Sequence, residues 1–145
     1  MLSKTLDKKV LLSTLWIFVT FNYVYCDVFT LFYSEDLKNF LAGKVGDTVI
    51  DQNFLLIFSI ILEIPILMIL VTRILNHKFN RILNICAGFI MTLVQAGSLY
   101  GLLSPTKHFI FFSIIEISTT AIIVWLALKW TSAEIEKNSK TATNG

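Results

Sequence analysis

Charge is scarce in this chain. Only 15% of its 145 residues are Asp, Glu, Lys or Arg, against 55% hydrophobic. A water-soluble domain of that length has too little interior to bury so much apolar surface, so most of it must face lipid. Cysteine is nearly absent, with two residues. Cys26 and Cys86 fall on opposite sides of the membrane midplane, about 7 Å and about 10 Å from it at about 1.5 Å per helical residue. That separation exceeds the reach of a disulfide, and both read as small apolar residues. The two histidines, His77 and His108, fall at opposite membrane faces and cannot share a metal. No Gly-rich phosphate loop, nucleophile elbow or zinc-ligand spacing is present. No cofactor, no metal site and no nucleic-acid partner is therefore expected, and nothing demands an enzyme. Strict polar/apolar alternation is also missing, which excludes the strands of a membrane barrel.

What the chain does have is four long apolar runs, over about 10–33, 54–75, 82–103 and 109–128. About 20 helical residues span a hydrocarbon core of about 30 Å, and a helix satisfies every backbone group within itself, as lipid requires. The expected fold is all-α, a polytopic four-transmembrane-helix bundle over 10–131. Residues 1–9 and the polar, compositionally disordered tail 132–145 flank it. The first run is too long for a signal peptide and lacks a small-residue cleavage site. Lys4, Lys8, Lys9, Arg73, Lys78, Arg81, Lys129, Lys137 and Lys140 fall on one side of the runs, and only Lys38, Lys44 and Lys107 on the other. By the positive-inside rule both termini are cytoplasmic.

The short links 76–81 and 104–108 make the second and third spans, and the third and fourth, antiparallel neighbours. The outer loop 34–53 is longer and acidic, with Glu35, Asp36, Asp47 and Asp51. Within it Ser34 is placed to cap a short amphipathic helix carrying Leu37, Phe40 and Leu41, with Gly43 ending it. An internal echo is also visible. Phe58-Ser59-Ile60-Ile61-Leu62-Glu63-Ile64 resembles Phe112-Ser113-Ile114-Ile115-Glu116-Ile117 with one residue deleted, the pattern of a duplicated hairpin.

Three carboxylates lie inside the spans: Asp27, Glu63 and Glu116. Each costs roughly 2.5–3.5 kcal/mol if left in lipid, so all three are expected to face the bundle interior or water. Counting about 1.5 Å per residue from each span's midpoint, Glu63 sits about 2 Å outward, Glu116 and Gln95 about 4 Å and Asp27 about 8 Å, with Asn22 at the centre. These polar side chains, from all four spans, share one slab. Helical spacing agrees. Ser13, Trp16, Thr20, Tyr23, Asp27 and Thr30 form a stripe on the first span, Ser59 and Glu63 on the second, Gly88, Met91, Gln95 and Ser98 on the third, and Ser113, Glu116 and Thr120 on the fourth. No Lys or Arg stands at that depth, a setting that favours protonated carboxyls. The stripes read either as a ligand- or proton-binding pocket of Asp27, Glu63, Glu116, Gln95, Asn22 and Tyr23, or as hydrogen bonding between helices. Gly97 and Gly101 would let the third span approach a neighbour, and Pro65 frees a carbonyl near Ile61 beside Glu63. Trp16, Trp125, Trp130, Tyr33 and Tyr100 are expected mostly as interfacial anchors.

The stretches Leu15-Trp16-Ile17-Phe18 and Phe21-Asn22-Tyr23-Val24-Tyr25-Cys26-Asp27-Val28, with Glu63-Ile64-Pro65 and Ile115-Glu116-Ile117, resemble a family of small bacterial four-helix membrane proteins catalogued only as a domain of unknown function. The resemblance covers nearly the whole chain. It implies a multi-pass protein of the bacterial inner (plasma) membrane and supplies no activity. Three functional expectations remain open. The first is a small protein that binds or transports a cation or small amphipathic molecule in a carboxylate-lined pocket, acting as a homodimer because four helices rarely enclose a pathway. The second is a non-catalytic subunit or regulator of another membrane protein. The third is an acid–base enzyme on a lipid-soluble substrate.

Overall fold

The computed structural model of the chain describes residues 7–46, 48–101 and 105–130. Expectations for residues 1–6, for Asp47, for the end of the third span at 102–104 and for the tail from 131 lie outside the described residues. Four long helices dominate: α1 (Lys8–Phe32), α3 (Gln52–Ile74), α4 (His77–Gly101) and α5 (Lys107–Leu128). The first connection carries α2 (Ser34–Leu41) and a two-stranded hairpin of β1 (Lys44–Val45) and β2 (Thr48–Val49). All four long helices are long and apolar enough to cross a membrane, which makes this a multi-pass membrane protein.

The helices start before their apolar runs do, because hydropathy marks the part in lipid while hydrogen bonding marks the helix. α1 begins at Asp7, whose carboxylate accepts the Lys9 N–H at 3.0 Å. α3 begins at Asp51, which accepts from the Phe54 N–H at 2.7 Å. These are side-chain N-caps that satisfy otherwise orphaned donors. α4 begins five residues before the expected run, and the Asn80 N–H donates to the Asn76 carbonyl at 2.9 Å.

The short helix expected in the outer connection is present, with one correction. Ser34 is its first helical residue and makes no cap; Tyr33 occupies the cap position, and its hydroxyl donates to the Glu35 carboxylate at 3.1 Å rather than capping the helix backbone. Gly43 follows with φ +71° and Gly46 turns the hairpin with φ +54°, conformations that favour glycine. Lys44 pairs with Val49 and Val45 with Thr48, antiparallel. Strands of two residues are too short to carry an alternation signal, so the sequence offered no sign of them.

α1 packs on α3 and α5, while α4 packs chiefly on α5 and less on α3. The interior is built from Leu12, Trp16 and Val19 of α1, Met68 of α3, Met91 of α4 and Ile123 of α5. Large apolar side chains such as Phe18, Phe21, Leu56, Leu67, Ile90 and Ile114 are exposed around the outside, as the lipid-facing surface of a bundle requires.

Two expectations about packing are corrected. The close approach between helices is at Gly88, where a Cβ would stand 2.7 Å from Val124 Cγ2 and 3.3 Å from the Thr120 carbonyl of α5; Gly97 has nothing within 4 Å. The side-chain setting of Gly101 is outside the described residues. Trp16 and Trp130 are interior residues, 0% and 4% exposed, whereas Trp125 and Tyr100 do lie on the surface. The Trp130 ring meets the His77 ring edge-on at 4.8 Å, and Lys129 Nζ lies 4.2 Å over Trp125. A tryptophan can leave the interface when its indole N–H finds a partner inside, as that of Trp16 does.

Candidate functional site

Two polar layers cross the bundle, and they are built differently. The first lies toward the basic end, where α1 starts and α3 and α5 finish. Asn84, Asn80 and Thr72 are fully buried there. Trp16 Nε1 donates to Asn84 Oδ1 at 2.8 Å, and Asn84 Nδ2 donates to Asn80 Oδ1 at 2.6 Å and to Thr72 Oγ1 at 3.3 Å. Asn80 Nδ2 reaches the Thr72 carbonyl at 2.6 Å, and Ser13 Oγ the Ile69 carbonyl at 2.9 Å.

Cations complete this end. Lys9 Nζ donates to the Leu75 carbonyl at 2.8 Å, at the C-terminus of α3. Arg81 donates to the Ala127 and Leu128 carbonyls at 3.2 and 3.1 Å, at the C-terminus of α5. Positive side chains there meet both the orphan carbonyls and the negative end of the helix dipole. Side chains that mark orientation in the sequence thus also lock the helix ends.

The second layer lies in the other half, between the first layer and the α1–α2 connection. Ser113 and Glu116 of α5 are fully buried, Tyr23 of α1 is 7% exposed and Gln95 of α4 is 8% exposed. Their convergence follows from the stripes at three- and four-residue spacing on α1, α4 and α5. Gln95 Nε2 donates to Ser113 Oγ at 2.8 Å. The Thr92 and Thr120 hydroxyls share a hydrogen bond of 2.7 Å, and Thr120 Oγ1 also donates to the Glu116 carbonyl at 3.0 Å.

Glu116 itself is different. Neither carboxyl oxygen has a hydrogen-bond partner among the described residues, and neither has the Tyr23 hydroxyl. Both side chains line a cavity of about 60 Å³ that Asp27 and Gln95 also line. Asp27 is exposed where Glu116 is sealed, so the carboxyl of Asp27 belongs to the rim of the cavity and that of Glu116 to its floor. Phe58, Ile61 and Leu62 of α3 supply an apolar wall, and Ile61 is the residue whose carbonyl loses its helical donor to Pro65. Buried polar atoms in a folded protein ordinarily have partners, and an orphan carboxyl facing a cavity is the group a ligand would satisfy.

Of the six residues the sequence singled out, Asp27, Glu116, Gln95 and Tyr23 come together around this cavity. Asn22 does not join them, because its amide turns back along α1 and donates to the Phe18 carbonyl at 2.8 Å. Glu63 and Ser59 face outward, exposed on the far side of α3, with Ser59 bonded to the Leu55 carbonyl at 2.7 Å. The expected inward orientation of the α3 stripe is therefore corrected. The two segments of the apparent duplication sit in different settings: Ser113 and Glu116 are buried, while their counterparts Ser59 and Glu63 are exposed. The run of apolar residues around both pairs permits either rotation of the helix, and packing selects one.

The sequence reading passed over Thr72, Asn80 and Asn84. A usable signal existed, since Asn84 and Asn80 continue the Gly88 stripe backwards at steps of four. Among the described residues there is no group of three or more His, Cys, Asp or Glu placed to hold a metal. No curated protein and no solved structure matches the chain. Residues 2–137 match the family of unknown function DUF6326, and the chain belongs to that family.

Proposed function

We propose that the cavity between Asp27 and Glu116 is a small-ion site, and that the protein binds, and carries across the membrane, a proton or a monovalent cation there. The observation that supports this reading is the fully buried Glu116 carboxyl, with both oxygens unpartnered among the described residues, at the floor of a largely apolar cavity that Asp27, Tyr23 and Gln95 also line. A carboxyl so placed holds a proton when the site is empty of cation and releases it when a cation arrives. Asp27 at the rim, the Tyr23 hydroxyl and the Gln95 carbonyl oxygen supply further oxygen ligands of the kind hard cations take.

Size favours an ion over an amphipathic molecule. At about 60 Å³ the cavity has room for a few waters or a partly hydrated cation. Pockets for drug-sized ligands are larger, roughly 300–1,000 Å³. The basic end, held by the Trp16–Asn84 network, forms the cytoplasmic side in this reading, so both termini lie in the cytoplasm. The membrane is the plasma (inner) membrane that the family resemblance implies.

The test is thermal unfolding of the purified protein in mild detergent against Li⁺, Na⁺ and K⁺ salts and against pH. A cation that binds only the folded form raises the midpoint, because it adds about 2.7 kcal/mol of stability at a hundredfold excess over its dissociation constant. The expected result is a rise for wild type that Glu116→Gln and Asp27→Asn abolish and that Glu63→Gln, outside the cavity, retains. A wild type indifferent to all three cations and to pH overturns the site. Flux of the same cation into proteoliposomes then separates transport from binding alone.

A further inference from the structure

Glu63 is the central residue of α3 (Gln52–Ile74) and lies on its exposed side, away from the cavity. α3 is also the most apolar of the four spans and the least buried by its neighbours. The outward face has a definite register. Leu56, Ile60, Glu63, Leu67, Leu70 and Ile74 are all exposed and follow one another at alternating steps of four and three. That spacing is the seam of a left-handed helix pair. Other lipid-facing stripes share the spacing. What singles this one out is an ionisable side chain at mid-span, where the bilayer offers it nothing to bond.

The group is chemically suited to meet its own copy. Two copies of one chain inserted in the same sense run their α3 helices parallel, and a two-fold axis along the membrane normal sets each seam residue against the same residue of the partner. A protonated carboxyl has one O–H donor and a carbonyl acceptor. Two of them face to face satisfy each other with a reciprocal pair of hydrogen bonds, and no cation is needed. The flanking leucines and isoleucines pack above and below, and a single polar residue in such a seam fixes register and partner number.

We propose that the outer face of α3 is the interface of a parallel homodimer, with Leu56, Ile60, Leu67 and Leu70 forming its seam and Glu63 hydrogen-bonded to Glu63 of the partner subunit. The inference does not rest on the cation site, since Glu63 lines no part of it. The dimer buries a carboxyl at the centre of α3 that the isolated bundle leaves exposed.

Cross-linking of the full-length protein in liposomes tests this. In a background carrying Cys26→Ala and Cys86→Ala, Leu67→Cys on the seam is compared with Ile90→Cys, an exposed position on α4. Under mild oxidation Leu67→Cys is expected to give covalent dimer far faster than Ile90→Cys. Adding Glu63→Leu should weaken dimer association roughly tenfold, the scale of one polar contact between helices in lipid. Adding Glu63→Gln should retain the dimer, because two amides also pair reciprocally, and this variant separates loss of the contact from misfolding. Equal cross-linking at both positions means random collision and overturns the proposal. So does a dimer indifferent to Glu63→Leu, or capture of Leu67→Cys only by a different membrane protein.

Discussion

The two halves of the bundle treat buried polar groups in opposite ways. Toward the basic end, Trp16, Asn80, Asn84 and Thr72 are joined in one hydrogen-bonded network, and Lys9 and Arg81 close the carbonyl ends of α3 and α5. Across the midplane, Glu116 and Tyr23 are just as deeply buried, yet the Glu116 carboxyl and the Tyr23 hydroxyl are left unpartnered beside a cavity. A network whose members satisfy one another holds a structure together. An orphan carboxyl weakens the protein, and in the reading proposed above it is the group a cation would satisfy. The proposed site rests on this difference between the two halves.

The sharpest way to break that comparison is Asn84→Ala. It strands the Trp16 indole N–H, the Thr72 hydroxyl and the Asn80 amide oxygen in the interior at once. Unfolding in detergent should show a loss of about 2 kcal/mol, within the range for buried polar groups left unpaired. Gly88→Ala comes next. Its methyl must displace Val124 at the α4–α5 contact, and the expected loss is about 1 kcal/mol, typical of overpacking. Glu116→Gln should move stability least among these, by within about 0.5 kcal/mol without added cation, because the carboxyl makes no hydrogen bond to lose. Tyr23→Phe should be equally mild for the same reason. If Glu116→Gln instead destabilises as strongly as Asn84→Ala, Glu116 is structural and the two halves are alike.

Much of the architecture was legible because it depends on local quantities. The four spans follow from run length and the antiparallel pairs from the shortness of the links. The α5 stripe of Ser113, Glu116 and Thr120 was legible too, since its spacing alone assigns it to one face, and all three residues are fully buried. The α3 stripe is the exception. Ser59 and Glu63 also share one face, but which face meets the bundle depends on how α3 packs against α1 and α4. Here the rule that an acid in a span turns inward does not hold within a single copy.

Gly88 and Trp16 show the same limit. Gly88 stands on the inward stripe and Gly97 does not, but the spacing of Gly97 and Gly101 pointed to the wrong glycine for the close contact, and the approach of Val124 decides it. Trp16 has the composition of an interfacial anchor and becomes a core residue because Asn84, 68 positions away, accepts its N–H.

By itself the sequence determined that this chain crosses a membrane four times, since backbone hydrogen bonding in lipid leaves a long apolar run no choice but a helix. It also determined which residues share a face on each helix, through the 3.6-residue turn. Only the tertiary structure decided how each helix is rotated about its own axis. That rotation is set by side chains meeting across helices far apart in sequence, and it is why Glu116 ends buried at the floor of a cavity while Glu63, at a similar depth, ends on the outside.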